Sequence, residues 1–276
     1  MKWMFVFLFL SPLLLLASGI EDAKTYHNNS TLQWRVAMET VDLIPWIESE
    51  NVLDIGCGDG KITALLSKKT SKGFVLGVDI SQSMIDFASS HYPQTDYPNL
   101  AFQQQNAAEI SFENQFDRIV SFSTLHWVVD QEKALKAIHR ALVPGGKICI
   151  QTYGKGLMNV TDIADLLVHT EKWTSHFPSY VKQRVFFTKP EYLALLERAG
   201  FQQIQVIESW NDTVFSNRQA LIDFAKPLLN FIRHLPQDLQ QEFVEEVVDR
   251  IFSIAGMTNG GVIHYQTFIL QVLGSK

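Results

Sequence analysis

The stretch from Asn51 to Gly60 constrains the fold of this chain more than any other part of the sequence. It is a short apolar run that contains one acid, Asp54, and continues into three alternate glycines that begin at Gly56. Branched apolar residues are typical of a buried strand, and glycines remove Cβ atoms where a ligand must approach the backbone. A helical pattern from Lys61 follows, so the free amide groups at its start point into the turn. The stretch predicts a strand, a turn and a helix that together bind a nucleotide-like ligand.

The glycine spacing and the acid in front of it distinguish between two kinds of nucleotide site. A dinucleotide-binding fingerprint would place its third glycine at Lys61, one position later. Asp54 would repel a pyrophosphate, but it suits a ligand that carries an ammonium group and a sulfonium, namely S-adenosylmethionine (SAM). The motif Asp54-x-Gly56-x-Gly58-x-Gly60 resembles motif I of the class I SAM-dependent methyltransferases. The alternative is a glycine turn that serves backbone geometry alone.

The resemblance implies a fold class and a cofactor. It implies an α/β protein with a Rossmann-like seven-stranded sheet, helices on both faces, and a helical lid built from C-terminal insertions. A methyltransferase domain is expected at 22–276, with the SAM-binding core at 22–153 and the lid insertions at about 154–187 and 211–260. The expected cofactor is SAM. No metal site is expected, because no cluster of histidines and cysteines with metal-ligand spacing accompanies the motifs.

Residues at the ends of later strands are further candidates for cofactor binding. Asp79 lies 19 residues after the last glycine of the motif, the distance at which a strand-end carboxylate reaches a ribose diol. Ile80 follows it as an apolar surface for the adenine ring. Asn106 and Ala107 occupy the position where the family usually carries Asp-Ala, so Asn106 is expected to accept from the adenine amine without charge assistance. Ser121, in the fourth predicted strand, completes the predicted cofactor-binding set.

An N-terminal helical segment, predicted over 22–47, contributes the first candidate for acceptor binding. Its string Tyr26-x-x-x-Ser30-x-x-Gln33-x-x-x-Ala37 resembles the opening of the small-molecule carboxylate methyltransferases, which include the juvenile hormone acid methyltransferases. The resemblance implies that Gln33 donates an amide hydrogen bond to a substrate carboxylate. The alternative is a helical glutamine that faces solvent.

A second element for acceptor binding follows the fourth predicted strand. Leu125-His126-Trp127 resembles the Leu-His/Gln-Trp element of aconitate, malonyl-carrier and juvenile hormone acid methyltransferases. Trp127 is expected to exclude water from the reacting carboxylate and to support the sulfonium by cation–π attraction. His126 is the weaker catalytic candidate, because a carboxylate needs no general base. The alternatives are a core tryptophan and a structural histidine.

A carboxylate acceptor is ionised at neutral pH, so the site requires hydrogen-bond donors and a dry pocket rather than a base. Aconitate methyltransferases carry an arginine near the position of Gln266, and its absence together with the many aromatic residues favours a lipophilic monocarboxylic acid. Two alternatives stay open: an accessory protein that binds SAM or S-adenosylhomocysteine without transfer, and a methyltransferase acting on a phenol or an amine. Position alone suggests four further donors, namely Tyr153, Arg184, His264 and Tyr265.

Beyond the fifth predicted strand, the regular alternation of strands and helices stops. The pattern there predicts helices over 158–173, 189–199 and 217–255, the last broken near Pro236, and strands over 201–210 and 262–273.

Net charge and the N-terminus bear on partners and location. The 276 residues carry a formal net charge of -6, so a nucleic-acid partner is not expected. Within residues 1–20, Lys2 precedes an almost wholly apolar run from Trp3 to Ala17, which is typical of a secretory leader. An uncleaved membrane anchor and a wrongly assigned start codon are the alternatives. The leader favours export or tethering whereas SAM chemistry favours the cytoplasm, so the sequence leaves the location open, as it does the oligomeric state.

Overall fold

The computed structural model describes residues 23–156, 159–182, 184–255 and 262–276. The predicted leader lies outside these residues. None of the helices formed by the described residues combines the length and the apolar character that a membrane span requires.

A single sheet of seven strands forms the centre of the fold. The strands are β1 (Val52–Ile55), β2 (Val75–Asp79), β3 (Leu100–Gln104), β4 (Phe116–Phe122), β5 (Leu142–Tyr153), β6 (Gln202–Phe215) and β7 (Ile263–Ser275). They lie in the order β3-β2-β1-β4-β5-β7-β6, and of these seven strands β7 runs in the direction opposite to the other six. The arrangement confirms the predicted Rossmann-like sheet. Because the parallel strands end at one edge, the glycine turn after β1 faces the residues that follow β2 and β4.

Helices cover both faces of this sheet, as predicted. One hydrophobic cluster packs α5 and α7 against it, and another packs α2 and α3 against the opposite face. Short 3-10 helices lie at Leu125–Trp127, Thr174–His176 and Lys226–His234. The α-helices are α1 (Ala23–Asn29), α2 (Thr31–Val41), α3 (Lys61–Lys69), α4 (Gln82–His91), α5 (Gln131–Ala141), α6 (Val160–Leu167), α7 (Lys189–Ala199), α8 (Arg218–Ala225) and α9 (Gln237–Ala255).

Several predicted boundaries differ from the structure. The helical segment predicted over 22–47 is two helices, and the second ends at Val41, four residues before Pro45. The helix predicted over 158–173 ends at Leu167. Strand β6 continues five residues past its predicted end at Trp210, because pairing with β7 continues as far as Phe215. The end of β6 is set by its pairing with β7, a strand distant in sequence, so it could not be predicted from the local sequence pattern.

The hairpin of β6 and β7 projects beyond the rest of the sheet. Strand β7 pairs with β6 as far as Ile263, but its pairing with β5 stops at Ile269. A third hydrophobic cluster covers the projecting end, and it includes residues of α6, α8 and α9 with Trp173 and Tyr265. Helices from both predicted insertions therefore share one core, which we call the helical lid.

Candidate cofactor and acceptor site

A cavity of about 350 Å³ opens at the carboxyl ends of β1, β2 and β4. A much smaller cavity of about 30 Å³ lies beside it, and the two share Tyr26, Gly56 and Phe122. Gln33 and Asp54 line the smaller cavity. The larger cavity brings together most of the other predicted site residues: Gly56, Gly58, Asp79, Ile80, Asn106, Ala107 and Trp127.

The three glycines of the turn are required for different reasons. A Cβ atom on Gly56 would lie 2.1 Å from the side chain of Thr124, so this glycine lets the turn pack against the end of β4. Gly60, at φ +78°, would place a Cβ 2.8 Å from both Ala88 and Phe102. Gly60 therefore serves packing and is not among the residues that line either cavity; its contact with the cofactor stays a prediction. Gly58 lines the larger cavity with its backbone open to a ligand.

Asp54 ends β1 with a buried carboxylate. The Thr63 hydroxyl on α3 donates a hydrogen bond of 2.7 Å to it. Burial raises the pKa of Asp54 to about 7, the Thr63 hydrogen bond opposes that rise, and the negative charges of Asp79 and Asp59 add to it. This end of the site is therefore rich in acidic groups and suits a ligand cation.

Asp79 ends β2 and holds the glycine turn in place. Its two carboxylate oxygens accept from the backbone amides of Gly58 at 3.0 Å and Ser81 at 2.9 Å. Burial raises the pKa of Asp79, and these backbone bonds lower it. A carboxylate has about four acceptor positions, so Asp79 keeps capacity for ligand hydroxyls on the cavity wall. Ile80 and Met84 provide an apolar surface beside it.

The residues present fit SAM. Its ammonium group requires an acidic partner, its ribose a bidentate acceptor and its adenine an apolar surface, and Asp54, Asp79 and Ile80 supply these features. Gln33 supports the fit, because its Oε1 atom is buried without a hydrogen-bond partner among the described residues. An unpaired acceptor beside Asp54 suits a donor on the ligand.

The three remaining residues predicted to bind the cofactor, Asn106, Ala107 and Ser121, differ in whether they line the larger cavity. Asn106 and Ala107 line the cavity, but Asn106 Oδ1 already accepts from the Ala108 amide at 3.0 Å, which leaves one of its lone pairs for a ligand. Ser121 does not reach either cavity. It is buried within β4, and its hydroxyl donates to the Ile55 carbonyl of β1 at 2.9 Å. Its side chain therefore joins β4 to β1, and its contact with the cofactor stays a prediction.

Trp127 lines the larger cavity, and His126 is buried behind it. The His126 ring lies 5.0 Å from the Tyr153 ring and 5.9 Å from the Phe186 ring. Burial and the positive charge of Arg184 hold the pKa of His126 well below its usual value of 6.5, so the imidazole is neutral. The guanidinium of Arg184 stacks 3.5 Å from the centre of the Trp127 ring. One face of the tryptophan is therefore already covered by a cation that belongs to the protein.

The four donors suggested by position alone separate into two pairs. Tyr153 and Arg184 lie beside His126 and Trp127. His264 lies on the projecting hairpin, with its Nδ1 atom 2.6 Å from Asp212, and its side chain is mostly exposed. The hydroxyl of Tyr265 accepts from the Val160 amide at 3.1 Å inside the core of the helical lid. Neither His264 nor Tyr265 lines the cavity.

Two residues that line the cavities, Tyr26 and Asp59, were not predicted from the sequence. Tyr26 lines both cavities, and its ring lies 3.5 Å from the position of a Cβ on Gly58. His27 Nδ1 lies 2.7 Å from the Asp59 carboxylate, which ties α1 to the glycine turn. Asp59 stands inside the glycine motif and Tyr26 begins the string that contains Gln33, so both were visible in the sequence. Their spatial proximity was not, because 32 residues separate His27 from Asp59.

Comparisons with known proteins agree with this geometry. A family model described as a methyltransferase domain matches residues 48–200. The chain is 29% identical over 244 residues to juvenile hormone acid O-methyltransferase of Bombyx mori, covering 83% of this chain and 86% of that protein. It is 25% identical over 238 residues to trans-aconitate 2-methyltransferase of Delftia acidovorans, and the match covers 82% of this chain and 87% of that protein. The YcgJ protein of Bacillus subtilis superposes with a TM-score of 0.62 at 20% identity over 87% of this chain and 97% of that one, which shows a shared fold.

Proposed function

The chain belongs to the SAM-dependent methyltransferases, and we propose that its methyl acceptor is the carboxylate of a small, lipophilic organic acid. One observation carries the proposal: the buried imidazole beside Trp127 is a very weak base. Burial holds the pKa of His126 well below 6.5, so His126 does not take a proton from an acceptor at neutral pH. A carboxylic acid, with a pKa of about 4, is already ionised. A phenol or an ammonium group must first lose a proton.

Two tyrosines near the site are also unsuited to act as bases. Burial raises the pKa of both Tyr26 and Tyr153, and negative charge from Asp59 raises that of Tyr26 further. Both phenols therefore stay protonated at neutral pH and can donate hydrogen bonds. A site that offers hydrogen-bond donors but no group able to remove a proton suits a methyl acceptor that is already an anion when it binds.

The chain contributes binding, alignment and exclusion of water to the reaction. SAM, when bound, supplies a methyl group activated by its sulfonium. Asp54 and Asp79 hold the two ends of the cofactor cavity, and Trp127 forms a wall that keeps water from the reacting atoms. The Gln33 amide nitrogen is the proposed donor to the acceptor carboxylate, while its unpaired Oε1 atom stays available to a donor on the cofactor. Transfer is an in-line displacement, so this alignment supplies much of the rate acceleration.

The class of acid follows from the surroundings of Trp127 and from the names of relatives. The rings of Tyr153 and Phe186 pack around His126, which suits an acceptor with an apolar body. The relatives from Bombyx mori and Delftia acidovorans are both named for methylation of an acid, juvenile hormone acid and trans-aconitate. A lipophilic monocarboxylic acid agrees with the apolar surroundings better than a tricarboxylate does.

A panel of acceptors with similar apolar bodies tests the proposal. Purified protein is incubated with methyl-labelled SAM and with decanoic acid, decylamine or 4-hexylphenol, and label in the extracted product is counted. We expect label with the acid alone, released by mild base as from a methyl ester. Transfer to the phenol or the amine but not to acids contradicts the proposal. Binding of S-adenosylhomocysteine without transfer to any acceptor favours a non-catalytic accessory protein.

A further inference from the structure

Arg184 is a buried cation for which the described part of the chain supplies no carboxylate partner. Its side chain belongs to a residue only 7% exposed, and its Nε and Nη2 atoms have no hydrogen-bond partner among the described residues. The other buried arginine of the sheet region behaves differently, because Arg118 binds both oxygens of Glu50 at 2.8 and 2.6 Å. An unpaired buried charge is strongly unfavourable, so its retention requires an explanation outside the fold itself.

The backbone next to Arg184 is fixed beside Trp127, just outside the residues that line the larger cavity. The Val185 amide donates to the His126 carbonyl at 2.9 Å, and the Gln131 side chain donates to the Val185 carbonyl at 3.2 Å. These bonds hold the guanidinium on the Trp127 ring. Trp127 also lines the larger cavity. Its side chain therefore lies in contact with both the cavity and Arg184.

The acidic groups nearest to this segment are paired with another cation. Lys182 Nζ lies 2.8 Å from Asp165 and 3.8 Å from Asp162, and Asp165 also accepts from the Tyr180 hydroxyl. The phenols of Tyr153, Tyr180 and Tyr265 lie near enough to Arg184 to influence its pKa, and burial raises the pKa of all three, so they are uncharged at neutral pH. Burial lowers the pKa of Arg184 to about 10, so the side chain keeps its charge, and within the described ranges no carboxylate forms an ion pair with it.

His126 adds a second unpaired polar atom at the same place. Its Nδ1 atom is buried without a hydrogen-bond partner in the described part of the chain, and its ring centre lies 5.8 Å from that of Trp127. A neutral imidazole carries one N–H group and so donates one hydrogen bond. With the proton on Nδ1, His126 is a donor that lacks an acceptor.

We propose that Arg184 and His126 together bind the carboxylate of the methyl acceptor, with Arg184 Nε and Nη2 donating to its oxygens and His126 Nδ1 donating a further hydrogen bond. The planar fork of an arginine matches a carboxylate. The inference rests on the proposed function, since it requires an acid as acceptor. It makes Arg184 the residue that selects an anionic group, and it gives His126 a binding role in place of a role as base.

The test compares an acid with its uncharged amide. Decanoic acid and decanamide are titrated into the wild-type protein, Arg184→Met and Arg198→Met, each saturated with S-adenosylhomocysteine, and kcat/KM for the acid is measured with SAM. Arg198 is a mostly exposed arginine paired with Glu132 at 3.1 Å, so it is the matched control. We expect Arg184→Met to lower kcat/KM for the acid about 10- to 100-fold and to remove the preference for acid over amide. In the control, Arg198→Met, we expect kcat/KM for the acid and the preference for acid over amide to stay within about threefold of the wild-type values.

Thermal unfolding separates a binding role from a structural one. Replacing an unpaired buried cation by an apolar side chain of similar length is expected to raise the Tm of Arg184→Met by about 2 to 6 °C. A lower Tm together with lost activity marks Arg184 as a structural residue and overturns the inference. An unchanged acid preference in Arg184→Met overturns it as well, while the proposed function stands. A wild-type protein that methylates no acid contradicts the proposed function itself.

Discussion

The hydroxyl group of Thr63 donates a hydrogen bond of 2.7 Å to the carboxylate of Asp54 and so joins the first turn of α3 to the end of β1. Both side chains are buried. Burial raises the pKa of Asp54 to about 7, and the Thr63 bond is the contact that lowers it. At neutral pH the carboxylate is therefore only partly ionised before a ligand cation arrives, and cofactor binding completes its ionisation.

Cofactor affinity is expected to depend on pH through Asp54. The ligand ammonium group stabilises the charged carboxylate, so the pKa of Asp54 is lower in the complex than in the free protein, and binding releases a proton. We predict that the affinity for S-adenosylhomocysteine falls about tenfold between pH 8 and pH 6. Isothermal titration in two buffers of different ionisation enthalpy measures both the affinity and the released proton. An affinity that is flat over this range in the wild-type protein contradicts the assignment.

The same pKa shift affects stability in the absence of cofactor. In the folded state the pKa of Asp54 is about 7, above its value in the unfolded chain, so the folded state binds the extra proton between about pH 4 and pH 7. The Asp54 contribution to the free energy of unfolding is therefore largest at low pH and declines as the pH rises to 7. Urea unfolding of wild type and Asp54→Asn across this range isolates that contribution, and equal pH slopes in the two proteins would disprove it.

Removal of the Thr63 hydroxyl is predicted to weaken cofactor binding. Thr63→Val keeps the shape of the side chain but leaves the Asp54 carboxylate without its donor, which raises the pKa of Asp54 further. The affinity for S-adenosylhomocysteine at pH 7 should drop about 3- to 10-fold, with a smaller loss at pH 9. Thr70→Val is the matched control, because the buried Thr70 hydroxyl donates to the Leu66 carbonyl at 3.0 Å at the far end of α3. If both variants lost the same affinity for S-adenosylhomocysteine, the effect of Thr63→Val could not be attributed to its hydrogen bond with Asp54.

Gly60 is predicted to be a stability residue. Gly60→Ala combines positive φ with a Cβ 2.8 Å from Ala88 and Phe102, so we expect a loss of about 2 to 4 kcal/mol in the free energy of unfolding. Gly145→Ala isolates the backbone cost, because Gly145 has φ +77° and no atom within 4 Å of the added Cβ. We expect the free energy of unfolding of Gly145→Ala to be about 1 kcal/mol lower than that of the wild-type protein. Equal losses, measured by urea unfolding, would show that packing around Gly60 is unimportant.

Trp127 is predicted to affect turnover through its ring. Trp127→Ala opens the cavity wall to water and removes the stack under Arg184, so kcat/KM for an acid should fall about 30-fold or more. Trp127→Phe retains an aromatic face and should lose less than about fivefold. Trp210→Ala provides the control, since Trp210 is 61% exposed on β6 and lies off the cavity wall. An alanine variant at 127 with wild-type turnover would exclude this role.

The sequence was sufficient to predict the core of the fold and the local patterns that meet at the carboxyl ends of its strands. The run that ends at Asp54, the glycine turn and Asp79 are local patterns, and the order of parallel strands brings their carboxyl ends together. Ser121 lies in the fourth strand, as predicted, but the hydrogen bond that its side chain makes was not predicted from the sequence. Residues along a strand alternate in direction, and its hydroxyl satisfies the Ile55 carbonyl of β1 instead of the cavity.

The acceptor end depends on contacts between segments distant in sequence. Arg184 reaches Trp127 across more than fifty residues, and the pairing of Val185 with His126 that holds it there follows no local pattern. The sequence indicated Arg184 only as one donor among several. Its lack of a partner is a property of the packed structure, and that property distinguishes it from His264, whose partner is Asp212.

The most direct test of the cofactor site is a titration of S-adenosylhomocysteine into wild-type protein, Asp79→Asn and Asp86→Asn at pH 8. Asp86 is an exposed acid on α4 that accepts from Gln82 at 2.7 Å, so its substitution controls for the loss of a charge. The account predicts micromolar binding by the wild-type and Asp86→Asn proteins, and at least tenfold weaker binding by Asp79→Asn, which loses an acceptor for both the turn and the ribose. Equal affinities in all three proteins would contradict it.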